Sequence, residues 1–403
     1  KNFMNSKENN NQARKLIPRL LLRQLFAAVL LLVGVVLFSH RIFMIGANKW
    51  YDGDRHLHGQ LAAGVETWVT GKLSRTDFTT GSAQFNGEWL FGTYMMAGMG
   101  YGQTALEHPE LMENNMALME QCIDMLLSPE VRAFDKETWR ADAFADLEAG
   151  KIHAAYLGYL NLLLSFHNFL DPDSKYGPLN DKITEALVNG LEKSRLSLLE
   201  SYPREVYPVD NCAVIGSIGL HGKAIGKDYG IKYIATWSDK FRQKYLDQKT
   251  GLIIQCVDPD TGEPLDAARG SGTLLGLYFL HFADVSLSAD LYASAKNVLS
   301  GRFIGYGGAR EYPKGISDEY AAGDIDSGPI FFGFGMSATG FMISGARINR
   351  DVETYERLYA TAAAWGVPYR GNGRLNFVTG ASLGDAILFA MLTANNLTSG
   401  AAQ

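Results

Sequence analysis

Six times along this chain, at intervals of roughly 55 to 65 residues, a polar or glycine-rich loop runs into a small-residue apolar segment. The six starts are Asn86-Gly87-Glu88-Trp89, Lys151-Ile152-His153-Ala154, Val209-Asp210-Asn211-Cys212, Arg269-Gly270-Ser271-Gly272-Thr273, Asp324-Ile325-Asp326-Ser327-Gly328-Pro329 and Ala381-Ser382-Leu383-Gly384-Asp385. A period of this length decides the fold before any local propensity does. Between the starts lie Leu57–Lys72, Leu111–Leu127, Pro178–Glu200, Ile231–Leu246, Ala289–Leu299 and Asp351–Trp365, where charged and apolar residues mix at helical spacing. Such stretches cover a core on one side and face water on the other, whereas a helix apolar all round is buried all round. Ala154–Leu164, Gly276–Leu280 and Phe331–Met336 read as helices of the second kind. Six exposed helices alternating with six buried ones make an all-α (α/α)6 barrel. Short connections make neighbours antiparallel, so the inner helices start at one rim and bring their ionisable groups there.

The N-terminus stands apart. Lys1–Gln12 is polar and Asn-rich and is expected to be disordered. Arg14, Lys15, Arg19 and Arg23 then precede an uncharged run from Gln24 to Ser39. The division expected is a basic cytoplasmic tail over 1–23, a transmembrane signal anchor over 24–45, and the barrel over 50–398. A basic cluster before the apolar run places that end in the cytoplasm. No small-x-small cleavage site follows, which favours an uncleaved single-pass anchor in the inner (plasma) membrane with the barrel periplasmic or extracellular. A net charge of −6 and the lack of a basic stripe interleaved with aromatics exclude a nucleic-acid partner. Cys122, Cys212 and Cys256 are widely spaced and read as core residues without a disulfide framework.

One interruption is expected: Gly251–Pro264 carries a strand-like run and a Pro-Asp-Thr-Gly turn, a β-hairpin walling the rim. On the rim itself, Asp324 and Asp326 flank Ile325 just before a Ser-Gly-Pro helix entry. A helix cap needs one side-chain acceptor; two neighbouring carboxylates repel and raise one another's pKa, which suits a general acid. Asp210 follows Tyr207-Pro208-Val209. Arg269 sits at a helix N-terminus, where the macrodipole disfavours a cation, so pairing with Asp210, Asp324 or Asp326, or substrate binding, explains it better. Glu88 and Glu311 add carboxylates; Trp89, Tyr159, Tyr207 and Tyr312 add aromatic surface, and His153 marks the second start. The catalytic candidates are therefore Asp210, Asp324, Asp326 and Glu88. The substrate-binding candidates are Arg269, Tyr159, Tyr207, Trp89, Glu311, Tyr312 and His153. No HExxH, P-loop, calcium loop or dinucleotide fingerprint is present, and neither metal nor cofactor is expected.

Through Tyr156-Leu-Gly-Tyr159-Leu-Asn-Leu, Glu205-Val-Tyr207-Pro-Val-Asp210-Asn-Cys-Ala-Val and Gly323-Asp-Ile-Asp-Ser-Gly-Pro, the chain resembles the linalool dehydratase–isomerase family from about Asn86 to Asn396. The resemblance implies an (α/α)6 barrel and cofactor-free acid–base dehydration and isomerisation of a terpene alcohol. It also implies departures: the family has a histidine where this chain has Tyr159, a cysteine at Asp210, and a second cysteine near Ser201. Its catalytic aspartate falls in the part of the chain that holds Glu88. The expectation is thus a carboxylate-based enzyme on a hydroxylated substrate, most simply an inverting glycoside hydrolase. There, Asp324 or Asp326 forms one member of the pair and Asp210 or Glu88 the other. A hydro-lyase or isomerase of a terpenoid or lipid alcohol is the alternative, and a non-catalytic glycan-binding component of envelope polysaccharide assembly the third.

Overall fold

The computed structural model describes residues 2–226, 231–315, 323–325, 327–395 and 397, with side chains from residue 22 onward except 231 and 232. It opens with one long helix, α1 (Asn2–Phe43), so the polar tail expected to lack structure is continuous with the apolar stretch. Leu22–Phe38 presents its apolar side chains outward, Leu31 and Phe38 among them, and the helix is long and apolar enough to cross a membrane. After α2 (Ala47–Tyr51) come α3 (Arg55–Thr70), α4 (Ala83–Glu107), α5 (Met112–Leu127), α6 (Pro129–Trp139), α7 (Ala143–Glu148) and α8 (Ala154–Leu170). The chain continues through α9 (Gly177–Lys193), α10 (Pro208–Ala224), α11 (Ile231–Lys244), α12 (Gly270–Leu280) and α13 (Val285–Val298). Two antiparallel hairpins follow, β1 (Ser300–Phe303) with β2 (Tyr306–Ala309) and β3 (Ile330–Phe331) with β4 (Phe334–Gly335). Then come α14 (Met336–Ile348), α15 (Val352–Gly366), a third hairpin of β5 (Pro368–Gly371) and β6 (Arg374–Phe377), and α16 (Ala381–Thr393).

The inner ring closes. α4 packs on α8, α8 on α10, α10 on α12, α12 on α14, α14 on α16, and α16 returns to α4. α3, α5, α9, α13 and α15 lie against this ring, and α11 covers α10 through Ile234, close to Gly219. The fold is therefore the (α/α)6 barrel that the period implies, preceded by one apolar helix. Its inner helices approach closely because their glycines permit it. A Cβ at Gly158 would come within 2.7 Å of Val214 and 3.6 Å of the Asp210 carbonyl, so α8 and α10 lie side by side at their first turns.

Several boundaries differ from the sequence reading, each for a local reason. Of the run Phe331–Met336, only Met336 is helical. Phe332 and Gly333 both have positive φ, 52° and 81°, which is the two-residue turn that matches strand twist, and a short apolar run cannot by itself distinguish strand from buried helix. The fifth inner helix therefore starts at Met336, and Asp324 lies in a loop before the β3–β4 hairpin rather than at a helix entry. Ser82 caps α4, whose first residue, Ala83, lies three ahead of the expected start at Asn86, and α9 ends at Lys193 rather than running to Glu200. Gly251–Pro264 folds back through isolated bridges, Leu246 with Ile253 and Val257 with Pro264, instead of a regular hairpin. Helices α6 and α7 were not expected, although Ser128-Pro129 is a helix-start signature and Ser128 does cap α6.

Candidate functional site

The first turn of α10 is set by Tyr207 at the cap position and Pro208 at the first helical position, where a missing N–H costs nothing. Asp210 in that turn does not cap it. Its Oδ1 accepts the Tyr159 hydroxyl at 2.9 Å, and Tyr159 projects from the facing turn of α8. On α4, Glu88 Oε1 accepts from the Tyr202 hydroxyl at 2.8 Å and from Gln84 at 3.0 Å. Burial and the charges of Glu88 and Asp210 push the Tyr202 phenol well above its ordinary pKa, so it stays a neutral donor and marks a neighbourhood shared by both carboxylates. Tyr207 donates to Glu205 at 3.0 Å. Trp89, half-buried, packs edge-on to Phe78.

A second group surrounds Arg269, the residue before α12. Its side chain is 4% exposed and pairs with Asp324, whose side chain is 48% exposed, and with Glu311 at 3.6 Å. Tyr312 also bonds to it. Burial works against the guanidinium charge, yet these partners hold it above its ordinary pKa. Asp324 exchanges two hydrogen bonds with Ser327, each 2.8 Å. Despite partial burial, Arg269 and Ser327 keep its carboxyl below the usual range, so Asp324 is ionised. Of the four expected catalytic carboxylates, Asp326 lies outside the described residues.

Glu311 and His153 are buried and make hydrogen bonds within the fold. Glu311 is fully buried, and its Oε1 accepts from Ser271 Oγ at 2.6 Å and from Ser271 N at 3.2 Å. It thereby caps α12 from a distant loop, where the helix dipole favours a carboxylate, and burial raises its pKa. His153, also fully buried, lies between Asp135 at 2.7 Å and Asp146 at 2.9 Å and stacks on Trp139 with centroids 4.1 Å apart. Asp385, from the sixth start, is occupied by Trp68, Asn376 and the Phe377 N–H.

The sequence reading missed Tyr202, Ser271 and Gln255; the last is buried between the starts of α10 and α12 with Oε1 unpartnered among the described residues. It also missed a group away from the rim, His58, Glu107 and His108, whose ligand atoms lie within 4.8 Å of one another. Arg347 supplies a positive charge to Glu107 Oε1 at 2.6 Å and His108 lies 3.2 Å from His58, so the three share one polar network. Burial raises the pKa of all three thiols, and none of them is disulfide-bonded.

A cavity of about 310 Å³ lies beside the Arg269 group, between the starts of α14 and α16, the end of α15 and the hairpins. Its lining is apolar and aromatic, including Phe334, Met336, Trp365, Phe377 and Leu388.

No protein-family model matches the sequence, and no curated protein does. Among solved structures, the chain is similar to the GH76A alpha-1,6-mannanase of Salegentibacter sp. HEL1_6, with TM-score 0.51 and 11% identity, over 84% of this chain and 98% of that one. An inactive variant of that mannanase, with two consecutive aspartates replaced by alanine and alpha-1,6-mannotetrose bound, matches at TM-score 0.50 and 12% identity, over 83% of this chain and 98% of that one. This likeness supports the (α/α)6 barrel. The linalool dehydratase–isomerase resemblance finds no counterpart among these matches. The present sequence has no two consecutive aspartates; Asp210 is followed by Asn211.

Proposed function

We propose that the barrel is a glycan-active hydrolase working through rim carboxylates without a cofactor, attached to a membrane by α1 with the barrel on the non-cytoplasmic side. The observation that carries this reading is that Asp210 and Glu88 each accept a hydrogen bond from a tyrosine hydroxyl, Tyr159 and Tyr202. Both charges act on the Tyr202 phenol, an arrangement that suits a role other than capping. One of this pair is the acid, donating a proton to the glycosidic oxygen as the bond breaks. Asp324, held ionised by Arg269, accepts a proton from the attacking water on the other side. Asp326 is the second candidate for that base. The mannanase neighbours make α-linked mannooligosaccharides the first substrates to try. The test is product release from α-1,6-mannotetraose and related oligosaccharides by the full chain, followed by mass spectrometry. The Asp210→Asn and Asp324→Asn variants lose the roughly 10²- to 10⁴-fold that acid–base groups contribute; unchanged turnover in both removes the proposal.

The second reading, a hydro-lyase or isomerase of a terpenoid or lipid alcohol, draws its support from the apolar cavity. A terpene alcohol converted to an alkene, with no glycan cleaved, would favour it. Glycan bound but never cleaved would favour the non-catalytic component.

A further inference from the structure

Glycine inside a helix costs about 1 kcal/mol relative to alanine, and most inner-helix glycines here have a visible reason for it. A Cβ at Gly98, Gly100, Gly216 or Gly276 would come within 2.3–2.6 Å of a neighbouring helix or loop. Gly340 on α14 and Gly384 on α16 have no such reason: a Cβ at either meets nothing within 4 Å. Both line the apolar cavity. The sequence thus keeps two helix faces bare where only the cavity gains from it.

The same cavity is joined to the apolar N-terminal helix. Tyr306, in its wall, donates a hydrogen bond to Ser39 at 2.9 Å and packs against His40 and Phe43, at the end of the segment long enough to cross a bilayer. Around it, Phe303 stacks on Phe332 and Phe331 on Trp365, all four exposed, the kind of apolar patch that marks a ligand or membrane contact. Also in the lining, Gly335 leaves no room for a Cβ beside Glu311 Oε2, and the Ser337 N–H donates to the carbonyl of Ser327, the residue that holds Asp324.

We infer that this cavity binds the hydrocarbon chain of a membrane lipid, with Gly340 and Gly384 keeping the space for it. The lipid's head group is then directed toward Asp324 and Arg269. Resting on the hydrolase reading, the substrate class becomes a glycan carried on a lipid, whose head group free α-mannooligosaccharides reproduce.

The test uses the full chain in nanodiscs of phosphatidylethanolamine and phosphatidylglycerol, doped with a phosphatidylglycerol whose acyl chain carries a diazirine. After irradiation, crosslinked peptides are mapped by mass spectrometry. Crosslinks to α14 and α16 are expected in addition to those on α1. In Gly340→Phe and Gly384→Leu, which fill the cavity, the α14 and α16 crosslinks fall at least tenfold while those on α1 persist and the melting temperature holds. Crosslinks confined to α1, or equally strong in the filled variants, overturn the chain site. Turnover of free α-mannooligosaccharides by the same preparations separates the two claims. Crosslinking without turnover leaves the chain site and removes the glycan head group; turnover without crosslinking does the reverse.

Discussion

At the scale of single residues, the rim holds carboxylates engaged by tyrosines and a buried arginine engaged by carboxylates. Asp210 and Glu88 are half-exposed and engaged by tyrosines. Asp210→Asn and Glu88→Gln should therefore change thermal stability by less than about 1 kcal/mol while removing turnover. Arg269 behaves differently. It is buried between Asp324 and Glu311, and Arg269→Ala leaves a buried carboxylate without its counter-charge, which costs about 3–5 kcal/mol. Denaturant titration distinguishes the two classes. Equal destabilisation in all three variants would mean that Asp210 and Glu88 are structural as well. The sequence could not sort these residues, because an acidic side chain beside a helix start looks the same whether it caps, as Glu311 does from forty residues away, or points at a tyrosine.

Among the elements, the inner helices owe their close packing to glycine, and the geometry gives opposite signs at two positions. A Cβ at Gly100 would lie 2.3 Å from Phe389, so Gly100→Ala should destabilise by about 1–3 kcal/mol. Gly384→Ala meets no atom and should stabilise by about 1 kcal/mol through helix propensity. Thermal melts of both check this, and a destabilising Gly384→Ala would mean that α16 packs more tightly than its surroundings indicate. The period and the apolar composition made five inner helix starts legible to within a few residues. The fifth start failed because Gly328, Phe332 and Gly333 adopt positive φ, turning an apolar run into a hairpin. That failure matters for function, since it moves Asp324 off a helix terminus and onto Arg269.

For the molecule as a whole, the ring is closed by a core that also buries histidines. Burial lowers the pKa of His58, His108 and His167, and brings His281 down to about 4. A histidine with a depressed folded pKa leaves the unfolded chain binding more protons, so its stabilising contribution is full above about pH 6.5 and is lost as pH falls toward 4. For His281 the full loss is roughly 3 kcal/mol. Asp135, Glu311 and Asp385, whose pKa values burial raises, work in the opposite direction, so the informative comparison is between the native chain and His281→Gln. The melting temperature should fall less steeply from pH 7 to 5 in the variant, and identical slopes would contradict the assignment. The barrel was legible because a sixfold period has few alternatives. The site was not, because Tyr202, Tyr159 and Arg269 meet their carboxylate partners across 114, 51 and 55 residues of chain, separations that carry no local signal. The most direct test of the hydrolase itself is incubation of the full chain with α-1,6-mannotetraose in water enriched in oxygen-18. Hydrolysis places one heavy oxygen at each new reducing end, and Asp210→Asn abolishes the labelled product. No labelled product from any α-linked mannooligosaccharide tried, or undiminished labelling in the variant, would contradict it.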